Sequence, residues 1–162
     1  IGDVYIMATK FINFQADWLK EMAKGKPAQG WLNIPKISDA DNNRYYVAVQ
    51  FSCIMVMPKS DFYITLDKCT VNDDAKALLE RALKNEDYKR AAATGASWKG
   101  FTEYKQMSGN VVAYFNPKLL KYWGSEGRDY YLEIRHIYYP AIIRDNNTHD
   151  VLGLIAPISI KK

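Results

Sequence analysis

Between residues 44 and 57 the chain alternates almost without interruption. Tyr45, Val47, Val49, Phe51, Cys53, Met55 and Met57 fall on one side of a period of two, and Arg44, Tyr46, Ala48, Gln50 and Ser52 on the other. Successive strand side chains point to opposite faces, so the pattern predicts a long, half-buried strand. A helix would scatter the same residues around its circumference. Residues 129–144 repeat the theme, with Tyr130, Leu132, Ile134, His136, Tyr138 and Ile142 against Tyr131, Glu133, Arg135, Ile137 and Tyr139. Pro140 cannot donate to a ladder, which predicts a bulge or an edge position there. A chain with two such stretches must build a sheet.

The remaining elements fit around that sheet. Residues 31–37 read as a strand, and the Asp and Asn residues at 39–43 are turn formers, so 31–37 and 44–57 read as an antiparallel hairpin. Phe62, Ile64 and Leu66 alternate with Asp61, Tyr63, Thr65 and Asp67 as a third strand. Residues 15–24 read as a short helix stopped by Gly25 and Pro27. Thr70 or Asn72 caps a long helix carrying Ala75, Leu78, Leu79, Ala82 and Leu83 on its buried stripe, with Gly95 at its end. Residues 97–108 read as irregular, 110–115 as a strand, and 118–123 as a short helix opened by Pro117 and closed by Gly124. A turn at 145–150 leads to a last strand at 151–160. The expected fold class is α+β: a single domain over 1–162 with a mostly antiparallel twisted sheet, one long helix and two short ones. Whether that sheet curls into an OB-like or partly closed barrel is left open. The 31–57 hairpin resembles in style the small phage single-stranded-DNA-binding proteins of the OB type.

The cysteines and termini bound the compartment. Cys53 and Cys69 cannot make a disulfide framework; both read as free thiols of a reducing, cytoplasmic environment, with a single bridge between them as the alternative if the strands around them pair. Met7 reads as a natural start, which leaves residues 1–6 open as a non-native leader, an upstream reading or a processed product, and no signal peptide is visible. No apolar run has the roughly 18–20 residues of a spanning helix, so no membrane partner is expected.

Catalytic and metal chemistry finds little support. His136 and His149 have no ligand partner at metal spacing, so no metal or cofactor is expected, and His136 reads as a core histidine. The Asp39–Asn43 run begins like a calcium loop, but Arg44 stands where the turn needs Gly. There is no phosphate-cradling Gly loop and no nucleophile elbow. A small hydrolase with an unrecognised site stays as one alternative, and the balance leans against an enzyme.

The positive signal is aromatic and basic. Proteins that hold single strands combine cations along the backbone path with rings on which bases stack. Here Trp98 adjoins Lys99, Tyr104 adjoins Lys105, and Lys121 precedes Tyr122 and Trp123. On the polar faces of the long strands, Tyr46 neighbours Arg44, and Tyr131 neighbours Arg135. The mild net charge of +4 permits an anionic partner without requiring one. The expectation is a non-enzymatic single-stranded nucleic-acid-binding protein. Arg44, Lys99, Lys105, Lys121 and Arg135 meet phosphates in that reading, and Tyr46, Trp98, Tyr104, Trp123 and Tyr131 stack with bases. The doubled tyrosines at 45–46, 130–131 and 138–139 equally suit a protein-interaction or assembly module, such as a viral structural or accessory protein, with homo-oligomers formed through strand edges.

Overall fold

The computed structural model of the chain describes residues 12–20, 23–24, 36–41, 43–49, 53–65, 69–71 and 74–159. Its contacts divide the chain into two compact units, Ile1–Leu78 and Leu79–Lys162. The fold class is α+β with mostly antiparallel strands, as the alternation requires.

In the first unit, helix α1 covers 12–20 and buries Phe14, Gln15 and Trp18. Strands β1 (Lys36–Asp41), β2 (Arg44–Val49) and β3 (Cys53–Pro58) follow as an antiparallel meander, and β4 (Thr70–Val71) pairs parallel to β1. Residues 44–57 are therefore two strands, where the alternation predicts one. The reason lies in parity. Tyr45 pairs with Met57 and Val47 with Met55, while Tyr46 pairs with Val56 and Ala48 with Ile54, so odd residues meet odd and even meet even. A hairpin in that register keeps the same alternation as an uninterrupted strand, and Gln50, Phe51 and Ser52 carry no turn signal. The expected third strand at 61–67 is absent over 61–65, where a 3-10 turn (Lys59–Asp61), an extended Phe62 and a bend at Ile64 replace it. Gln15 ties α1 to this segment: its Nε2 donates to the Asp61 carbonyl at 2.7 Å, and its Oε1 accepts from the Tyr63 N–H at 2.6 Å.

Helix α2 (Asp74–Leu83) ends twelve residues earlier than Gly95 suggests, and buries Ala75, Leu79 and Ala82 while Leu78 and Leu83 stay exposed. Its stop is Asn85, whose Oδ1 accepts from the Asp87 N–H at 2.8 Å in a turn that competes with further helix. The second unit then begins its sheet: β5 (Lys89–Trp98), β6 (Phe101–Gln106), β7 (Val112–Phe115), β8 (Tyr130–Ile134), β9 (Ala141–Asp145) and β10 (Val151–Ile155). Their order is β10-β9-β8-β5-β6-β7, every pair antiparallel. The helix formers Ala91, Ala92 and Ala93 thus lie in a strand. Propensity is a weak prior, and here pairing on both sides overrides it: Ala91 faces both Gln106 and Leu132.

Residues 97–108, read as irregular, hold the turn and second arm of a hairpin. Lys99 and Gly100 both have positive φ, at 50° and 84°, the signature of the two-residue turn that matches strand twist. Residues 129–144 are two strands rather than one, because Pro140 and the exposed stretch before it form a turn between β8 and β9. His136 is accordingly exposed rather than core, with its Nδ1 accepting from the Tyr138 N–H. The short helix arrives as expected: Asn116 caps α3 (Pro117–Leu120), a 3-10 turn (Lys121–Trp123) continues it, and Gly124 at φ 106° ends it.

The second unit's inward face carries Ala91, Tyr104, Gln106, Ala113, Phe115, Tyr130, Leu132 and Ile134, all buried. Its ladder is open at β7, although the Ile158 N–H beyond β10 donates to the Tyr114 carbonyl at 2.7 Å. Leu132→Ala, at a position with 0% exposure, should cost about 2–5 kcal/mol in urea unfolding. In the first unit, burial pushes the Cys53 thiol up to about 12, whereas Cys69 is half-buried. A thiol reagent at neutral pH should therefore label Cys69 in the folded protein and reach Cys53 only on unfolding. Equal labelling of both would contradict this packing.

Candidate functional site

The outward face of β5, β6 and β7 follows from the inward one. With Tyr104 and Gln106 turned into the core, Phe101, Glu103 and Lys105 must point out. Trp98 pairs with Phe101 across the hairpin, and Glu103 pairs with Tyr114 on β7. The Trp98 ring centroid lies 6.3 Å from that of Phe101 and 6.1 Å from that of Tyr114. All three rings are half-buried, and the Lys99 ammonium stands 4.8 Å from the Trp98 ring centroid. That distance is within cation–π reach.

A bulge shapes the same face. Ala93 pairs with Tyr104 and Ser97 with Thr102, so Thr94, Gly95 and Ala96 together oppose Glu103. Gly95 takes φ 85°, a conformation that favours glycine. The bulge aims the Thr94 hydroxyl at Glu103, donating to Oε1 at 2.8 Å, while the Tyr114 hydroxyl donates to Oε2 at 2.5 Å. The Tyr114 bond, and then the Thr94 bond, hold the Glu103 carboxyl below the ordinary glutamate range. Reciprocally, the carboxylate pushes the Tyr114 phenol up. The result is an ionised, oriented acceptor beside an aromatic surface.

Of the residues expected to form a stacking platform, the structure brings Trp98, Lys99 and Lys105 to this face. It withdraws three others. Tyr104 (2% exposed) packs edge-on against Phe115 and hydrogen-bonds Tyr130, and its burial pushes its phenol up. Trp123 (2%) donates its Nε1–H to the Leu152 carbonyl at 2.9 Å. Both are core residues, and neither ring offers a face to a base. Tyr131 points outward but is 6% exposed, since the Arg90 guanidinium lies 4.2 Å from its ring centroid and its hydroxyl meets His149 Nδ1 at 2.9 Å. Arg144 holds that arrangement, pairing with Glu133 and donating to the His149 carbonyl.

The other expected cations are dispersed. Lys121 is exposed, 5.2 Å from the Tyr122 ring centroid, and Arg135 lies 4.2 Å from that of Tyr139. Arg44 and Tyr46 belong to β2 of the first unit, exposed and half-buried respectively. Sequence reasoning missed Phe101, Glu103, Tyr114 and Thr94 as members of the face. The alternation of residues 101–106 around the Lys99-Gly100 turn was the signal that could have found them.

Among the described residues, no group of three or more His, Cys, Asp or Glu is placed to hold a metal ion, and no helix is long and apolar enough to cross a membrane. Because the folded state lowers the Glu103 pKa, it gains stability from this group above the unfolded-state value and loses it as pH falls through the folded one. In an NMR titration the Glu103 carboxyl should change below the ordinary glutamate range, and Tyr114→Phe should move that change upward. An unmoved midpoint would show that the hydroxyl does not hold the carboxylate. Comparison with protein-family models, with curated proteins and with solved structures gives no match.

Proposed function

We propose that the chain is a non-enzymatic protein that binds single-stranded nucleic acid on the outward face of β5, β6 and β7. In this reading Trp98, Phe101 and Tyr114 stack with bases, and Lys99 and Lys105 meet phosphates. The observation that supports it most is the contact group of three half-buried rings beside Lys99, outside the core that absorbs Tyr104 and Trp123. Unpaired bases offer π-faces and edges that such a surface can use, whatever the sequence of the strand.

The test is fluorescence anisotropy of a labelled oligo-dT titrated with protein at several salt concentrations. Trp98→Ala should weaken binding by about 1–3 kcal/mol while leaving the unfolding midpoint nearly unchanged. Each phosphate neutralised on a single strand contributes a slope of about −0.7 to log K against log salt, so Lys99→Ala should reduce the slope by about that amount. Absence of binding at low salt would sink the reading.

A second reading, a protein-interaction or assembly module, has its own observation. At one end of the second unit, Met107 (68% exposed), Ile137 (42%), Tyr138 (67%) and Tyr139 (46%) present apolar surface to solvent. Met107 and the 135–140 turn reach that end together because the Met107 N–H donates to the Arg90 carbonyl and the Tyr88 hydroxyl to that of Pro140. Exposed aromatic and sulfur-bearing side chains of this kind are enriched at interfaces. Sedimentation without nucleic acid separates the readings: mass that rises with concentration and falls back in Tyr138→Ser favours the module.

A further inference from the structure

Glu103 is out of place on a surface that only needs to attract phosphates. A carboxylate accepts hydrogen bonds and donates none, and it repels a phosphate backbone. Yet this one is fixed by two hydroxyls from neighbouring strands, Thr94 on Oε1 and Tyr114 on Oε2. Tyr114 is itself one of the rings in contact with Trp98. A carboxylate has about four acceptor positions, so one position on each oxygen is left for a ligand. The side chain is half-buried, hence reachable from solvent.

A ligand that uses both oxygens must present two adjacent N–H donors. Among the bases only guanine does so on its Watson–Crick edge, through N1–H and the N2 amino group. Thymine and uracil place a single N–H between two carbonyls that a carboxylate repels. Cytosine and adenine set one amino group beside a ring acceptor, so the second oxygen faces a lone pair. Resting on the nucleic-acid reading above, we propose that Glu103 makes this face selective for an unpaired guanine, stacked against the Trp98 group and held by its Watson–Crick edge. The low-lying Glu103 carboxyl keeps the acceptor charged throughout the neutral range.

The experiment compares three oligo-dT strands that differ at one central nucleotide: dG, deoxyinosine or dT. Deoxyinosine keeps N1–H and lacks the N2 amino group, so it removes one of the two donors and little else. Using one central purine avoids the self-association of guanine runs. With the unmodified protein, the dG strand should bind about five- to tenfold more tightly than the dT strand, the low end of what a bidentate base contact discriminates. The deoxyinosine strand should lose most of that gain, and Glu103→Gln should level the three affinities. Equal binding of the dG and deoxyinosine strands overturns the proposal, as does a dG preference that survives in Glu103→Gln. If all three strands bind alike, the selectivity fails while the nucleic-acid reading stands. If none binds, both fall. The comparison on the unmodified protein decides the matter even if the variant misfolds.

Discussion

The buried amide of Gln106 sets the frame on which the second unit depends. Its Nε2 donates to the Ile134 carbonyl on β8 at 2.9 Å, and its Oε1 accepts from the Val111 N–H at 3.3 Å beyond the β6–β7 turn. Its backbone N–H donates to the Val111 carbonyl. Leaving one such buried group unpaired costs about 1–3 kcal/mol, so the amide resists any shift of β6 against β8. Gly109 is the partner of this arrangement, since a Cβ there would lie 2.2 Å from the Gln106 Oε1. Once Gln106 points inward, Tyr104 does too, and the outward side of β6 is assigned to Phe101, Glu103 and Lys105.

The face that results is built from local irregularity on a regular frame. The Lys99-Gly100 turn sets Trp98 opposite Phe101, and the bulge at 94–96 turns the Thr94 hydroxyl onto Glu103. Bulges often re-aim side chains beside functional sites, and here the re-aimed group orients a carboxylate. Tyr131 shows the contrasting fate of an outward-facing ring. It has the parity of a surface residue on β8, yet Arg90 and His149 lie against it. Parity decides which side of a sheet a ring takes; what lies on that side decides whether a ligand can reach it.

Much of the architecture was legible because it rests on local chemistry. The alternating stretches at 44–57 and 129–144 became strands, β1 and β2 formed the expected antiparallel pair with Asp39–Asp41 inside β1 rather than in the turn, and Pro117 and Gly124 bounded their short helix. Two of the failures share one cause. Residues 44–57 fold back on themselves in a register that leaves their alternation intact, and residues 89–98 form a strand against their alanine-rich composition. In both cases pairing between strands decides, and neither alternation nor composition displays it. The site was half legible for the same reason: Trp98 and Lys99 were visible as a ring beside a cation, but Tyr114 reaches them only through the β6–β7 pairing.

By itself, then, the sequence determined that this chain builds an antiparallel sheet with short helices, because period, capping and turn chemistry act within a few residues. Tertiary structure decided where the strands turn back and which aromatic rings the core consumes. Tyr104, Trp123 and Trp98 look alike in sequence, each beside a lysine or two positions from one. Pairing register and burial placed the first two inside and left the third at the surface. Burial depends on what packs against a side chain, and those neighbours come from strands far along the chain.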